Sequence, residues 1–102
     1  MYYGKLNSWN ASKNEIEMTK TQKNIRKVLS GESDNNFNFS DLINLMKKLG
    51  FQHRVKGSHN IFYKEFIFEI INIQPLKDNK AKPYQVKQIR NLILKYKLKM
   101  EE

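Results

Sequence analysis

Cysteine is absent from all 102 residues, so the chain can build neither a disulfide framework nor a thiolate metal site. Two histidines and ten scattered carboxylates argue against a dedicated zinc cage. No metal and no cofactor is therefore expected. Long apolar runs are also missing. Nothing approaches the roughly 20 residues of a membrane span, and the N-terminal stretch has no apolar signal-peptide core. The expectation is a cytoplasmic protein without membrane contact. Acid is scarce too: ten Asp and Glu stand against nineteen Lys and Arg, a formal net charge of +9. That balance favours a polyanion or an acidic protein as partner, and it says nothing about catalysis.

What is present fits one small core. Residues 1–17 show neither helical nor strand periodicity and are expected to form a poorly ordered leader. Residues 18–38 read as an extra N-terminal helix and a linker. The helix runs over Thr19–Ser30, with Ile25, Val28 and Leu29 on one side and Gly31 as its stop. The main domain spans residues 39–100. Ser40 is expected to cap its first helix, in which Leu42, Ile43, Leu45, Met46 and Leu49 recur at helical spacing up to Gly50. Three strands follow, over Phe51–Lys56, Ser58–Lys64 and Phe66–Ile73, with a turn at Lys64-Glu65. The third is the most apolar and is expected at the centre of the sheet. After a loop from Gln74 to Lys82, Pro83 opens a helix whose apolar face is Val86, Ile89, Leu92, Ile93 and Tyr96. The class is α+β, a three-stranded antiparallel sheet with helices on one face and the other face free.

One stretch concentrates the chemistry: Arg54-Val55-Lys56-Gly57-Ser58-His59-Asn60-Ile61-Phe62. Gly57-Ser58 permits a tight turn, which sets His59 at a hairpin bend beside Arg54 and Lys56. A lone histidine at such a place is more often an ordinary polar turn residue than a catalyst. The sharper reading is a general base, because imidazole titrates near neutrality. RNA carries its own nucleophile, the 2′-hydroxyl, so one base with cationic stabilisation suffices to cleave it without metal. His53, on the preceding strand, reads as structural. Glu65 and Glu69 share a face but gather no third ligand, and they balance local lysines. The last helix and its approach carry Lys82, Lys87 and Arg90, candidates for holding phosphates, against the plainer reading of a solvated face.

From about Phe39 to Leu98 the chain resembles the HicA family of toxins from bacterial type II toxin–antitoxin systems. The resemblance rests on Phe39-Ser40-Asp41-Leu42, Leu49-Gly50-Phe51, the Arg54–Phe62 stretch, Asn72-Ile73-Gln74-Pro75 and the run from Lys80 to Arg90. It implies a double-stranded-RNA-binding-domain-like fold and an mRNA-cleaving endoribonuclease, with His59 catalytic and Gly57 shaping its turn. It also implies a HicB-type antitoxin as partner. Many members carry a second histidine where this chain has Asn60, and a Gly-Thr pair where it has Tyr84-Gln85. The expected function is thus an mRNA interferase with His59 as base, Gly57 and Ser58 setting the turn, and Arg54, Lys56, Lys82, Lys87 and Arg90 holding phosphates. The alternatives are a non-catalytic RNA-binding module of the same fold, or an inert partner-binding protein.

Overall fold

The computed structural model describes residues 18–101, so the expected leader lies outside the described residues. The elements run α1 (Lys20–Ser30), a 3-10 turn (Asp34–Asn36), α2 (Phe39–Lys48), β1 (Gln52–Lys56), β2 (His59–Tyr63), β3 (Ile71–Ile73) and α3 (Pro83–Tyr96). This is the expected α+β order, with three helices and one three-stranded antiparallel sheet, consistent with the double-stranded-RNA-binding-domain-like arrangement.

Local chemistry sets the helix ends. Thr19 and Gln22 form a reciprocal capping box at the start of α1, with bonds of 2.9 and 3.1 Å. Gly31, at φ 75°, closes α1 in the left-handed conformation that a side chain would resist. α2 begins two residues earlier than expected, and its cap is Asn38 rather than Ser40. The Asn38 carboxamide accepts from the Asp41 N–H at 2.9 Å, whereas the Ser40 hydroxyl accepts from the Asn79 side chain at 3.3 Å. Both residue types suit a cap. The choice falls on Asn38 because residues 37–39 are already drawn against the loop before α3: Phe39 N–H donates to Asn79 C=O and Ala81 N–H to Phe37 C=O.

The helices cover one face of the sheet. Leu42, Leu45, Met46 and Leu49 from α2 and Val86, Ile89, Leu92 and Ile93 from α3 share one core with Phe62, Ile71 and Ile73. Val28 of α1 and Phe37 are buried in the same core, so the segment before residue 39 packs as part of it. Ile43 and Ile25 are only half-buried and Leu29 is exposed, fewer core positions than the helical spacing suggests. Each fully buried large side chain contributes roughly 1.5–3 kcal/mol of apolar transfer free energy.

The third strand departs most from expectation. It spans only Ile71–Ile73 and lies at an edge, because the sheet order is β1-β2-β3. A meander of two hairpins places its middle strand at the centre whatever the apolarity of the third. Pairing stops at Phe62↔Ile71. Beyond it, Ile67 N–H closes a turn on Lys64 C=O at 3.1 Å, with Phe66 at φ 71°. Glu69 is drawn to α3, accepting from Lys95 Nζ at 2.7 Å and Tyr96 Oη at 2.6 Å. Phe66, Phe68 and Ile70, expected within a central strand, lie outside it and are 90%, 94% and 66% exposed.

Candidate active site

The β1–β2 hairpin positions the site. Lys56 pairs with His59, leaving Gly57-Ser58 as a two-residue loop. Gly57 has φ 62° and Ser58 is not among the positive-φ residues, the pattern of a type II′ turn, whose twist matches that of the flanking strands. A Cβ on Gly57 would meet nothing within 4 Å, so glycine is required here by backbone conformation and not by space.

Strand alternation then sorts the side chains. Phe62 is buried beneath the helices, and Asn60, Val55 and His53 point to that same side. His53 stacks on Phe62 with ring centroids 4.5 Å apart, and its Nε2–H donates to Asn60 Oδ1 at 2.8 Å. These contacts make His53 a structural residue, and Asn60 its partner. His59, Ile61 and Tyr63 project from the opposite, helix-free face. Lys56 stands directly across from His59, and Arg54 shares a cross-strand row with Ile61 and Asn72. The structure therefore places His59, Lys56 and Arg54 together on the open face. None of the three takes part in an ion pair among the described residues.

Two side chains that the sequence did not single out complete the site. Asn72 Oδ1, an atom that only accepts, lies 3.1 Å from His59 Nδ1 and takes a hydrogen bond from it in the tautomer protonated at Nδ1. Gln74 Nε2 sits 2.9 Å from Nδ1 and 3.1 Å from Nε2. In that tautomer the Gln74 amide donates to Nε2; in the other it donates to the nearer Nδ1. Gln74 is itself anchored from behind by Gln85 of α3, which is 2% exposed. With its amide nitrogen donating to Gln74 C=O and its oxygen accepting from Gln74 N–H, Gln85 makes two bonds of 3.1 Å. The reverse orientation leaves only a 3.4 Å contact with Lys82 N–H. A buried helix residue thus fixes the backbone whose side chain touches the imidazole. The sequence signal was available in the run Ile71-Asn72-Ile73-Gln74, where polar residues alternate with buried ones.

The cations of the last helix belong elsewhere. Arg90 donates to Val28 C=O at 2.9 Å and makes a two-pronged pair with Asp34 at 3.0 Å on each side. Lys87 is exposed on the helix layer, and Lys82 precedes the first turn of α3 beside Gln85. Glu69 is held down to about 2 from an ordinary value near 4.5, chiefly by the bond from Lys95 and then by that from Tyr96. Among the described residues no group of three or more His, Cys, Asp or Glu is gathered closely enough to hold a metal ion. No helix among them is long and apolar enough to cross a membrane.

The chemistry this face can perform is proton abstraction by a held imidazole next to unpaired positive charge, on a flat surface suited to a polymer. A family model described as the HicA toxin of bacterial toxin–antitoxin systems matches residues 39–96, more than half of the chain. No curated protein and no solved structure matches it significantly.

Proposed function

The chain belongs to the HicA family of toxins of bacterial toxin–antitoxin systems, and on that premise we propose that it is an endoribonuclease whose open sheet face cleaves mRNA with His59 as base. The observation that carries this reading is the place of the His59 ring, exposed and held by the Asn72 and Gln74 side chains; with the proton on Nδ1, bonded to Asn72, the lone pair a base needs stands at Nε2. An RNA 2′-hydroxyl takes the place of the Gln74 amide and gives its proton to Nε2. The 2′-oxygen attacks phosphorus, the bond to the 5′-oxygen breaks, and that oxygen takes a proton from water. The products are a 2′,3′-cyclic phosphate and a 5′-hydroxyl end. Lys56 and Arg54 stabilise the charge that grows on the phosphorane oxygens. His53 is no candidate for the acid, because it lies on the other face with Nε2 committed to Asn60.

The partner we propose is a HicB-type antitoxin that covers His59 and the adjoining cations, in the cytoplasm where mRNA is translated. Purified chain should cut RNA in the presence of a chelator, and His59→Ala should abolish cutting while leaving RNA affinity within about threefold. An RNA with one deoxyribose at the cleaved position should resist there. Cutting at that deoxyribose, or full activity in His59→Ala, refutes the mechanism. RNA binding without any cutting by the wild-type chain favours the non-catalytic module.

A further inference from the structure

The helix-free face extends past the hairpin. Between Ile67, which packs on the core, Glu69, bonded to α3, and the buried Ile71, the intervening Phe68 and Ile70 turn the other way. They lie four and two residues before Asn72, in the unpaired stretch that leads into β3, next to the face of Asn72, Ile61 and His59. Tyr63, the residue after buried Phe62, joins them at 42% exposure. Phe66 holds a positive φ at 90% exposure, an unfavourable conformation for a bulky side chain that gains little packing among the described residues. An exposed aromatic cluster of this kind marks a binding surface.

Its surroundings decide what binds. The strand residues on this face, Gln52, Arg54, Lys56, His59, Ile61, Tyr63 and Asn72, include no acid, and the nearest exposed carboxylate is Glu65 in the turn before Phe66. The cations are Arg54 and Lys56, and the remaining polar groups are amides and the imidazole. Aromatic rings, amides and cations on an open antiparallel sheet form a surface on which unpaired bases stack while the backbone meets positive charge. The span from His59 to Tyr63 is four residues, about 13 Å, room for roughly two or three nucleotides.

We propose that Phe68, with Tyr63, Ile70 and Phe66, is a base-stacking subsite for single-stranded RNA beside the cleaved bond, so that the chain selects unpaired RNA although its fold is of the duplex-binding type. This rests on the RNA-cleaving reading above and adds to it where the flanking bases lie. The face is flat and its rings lie apart from His59, so the subsite contributes to affinity for unpaired bases without supplying a reacting group.

The test uses the full chain and a fluorescein-labelled 2′-O-methyl dodecaribonucleotide of mixed sequence, which lacks the nucleophile and stays intact. Anisotropy should show the single strand bound more tightly than the same strand in a duplex. Phe68→Ala and Phe68→Leu should each weaken single-strand binding roughly fivefold to thirtyfold, with the salt dependence and the thermal midpoint unchanged. Leucine keeps an apolar side chain and loses the ring, so stacking predicts that both variants fail. Wild-type affinity in both variants overturns the subsite and leaves the nuclease reading intact. No binding of RNA by the wild-type chain overturns both. Loss of an acidic protein partner in Phe68→Ala, with RNA affinity unchanged, makes the patch a protein-docking face and overturns the subsite.

Discussion

Replacing Arg90 by methionine removes a guanidinium while keeping most of its aliphatic stem. Two accounts of Arg90 then part company. Its three contacts, 2.9 Å to Val28 C=O and 3.0 Å to each Asp34 oxygen, join α3 to the end of α1 and to the 3-10 turn. A hydrogen bond to a charged group contributes roughly 1.5–3 kcal/mol net, and stranding one member of a fully buried pair costs about 3–5 kcal/mol. Here the side chains are 17% and 20% exposed, so water reaches the orphaned carboxylate and discounts that figure. A loss of about 2–3 kcal/mol remains. In a domain of this size it lowers the thermal midpoint by roughly 10–20 °C. Asp34→Asn should cost less, about 1 kcal/mol, since the Val28 bond survives. The double variant should show a coupling of about 1–2 kcal/mol. Circular dichroism melts at pH 7 read the stability. Anisotropy against RNA at several salt concentrations reads the other role, and its slope should not change in Arg90→Met. A midpoint lowered by less than about 2 °C, with a salt slope reduced by about one unit, would show Arg90 to be a phosphate ligand and the ion pair incidental.

Asn72→Ala frees the His59 tautomer, and kcat should fall about tenfold to a hundredfold with KM unchanged. Asn72→Asp, which accepts the same N–H bond, should restore much of it and move the acid limb of the pH–rate profile upward; an unchanged kcat in Asn72→Ala would remove Asn72 from the site. Glu69 has a depressed folded-state value of about 2, so its bonds to Lys95 and Tyr96 stabilise the fold fully above its ordinary range near 4.5 and lose effect as pH falls toward 2. Melting midpoints between these pH values should therefore drop more in the wild type than in Glu69→Gln. Gly57 sits at φ 62° with open space where a Cβ would go, so Gly57→Val, strained by about 1–2 kcal/mol by the backbone conformation, should lose activity before it loses fold when set against the wild type. Equal activity in the two would mean that the turn does not set the His59 position.

The parts of this molecule that were legible in the sequence are those decided by near neighbours. Gly57-Ser58-His59 reads as a bend because three consecutive residues determine it, and Gly31 reads as a stop because a helix end needs one positive φ. The helix periods of α2 and α3 likewise lie within one element. What failed depended on distant partners. Arg90 looked like a free cation because Asp34, its counter-ion, lies 56 positions away. Phe66, Phe68 and Ile70 looked like part of a central strand because the apolar pattern of the segment carries no information on where pairing with β2 ends. Asn72 and Gln74 were part of the resemblance but were given no role, because amides carry no charge to draw attention and their target ring is 13 and 15 positions upstream.

These misses bear on function as well as on fold. The pairing of Arg90 with Asp34 leaves less unpaired positive charge on the helix layer, and the exposure of Phe68 and Ile70 adds apolar surface beside the sheet face. Both changes shift the expected contact with RNA in the same direction, away from the Lys-rich helix and onto the strands. His59 lies on those strands, exposed and in contact with the Asn72 and Gln74 side chains. A polymer bound along the last helix would sit on the far side of the sheet from that ring. One bound along β2, between Lys56 and Tyr63, would pass directly over it.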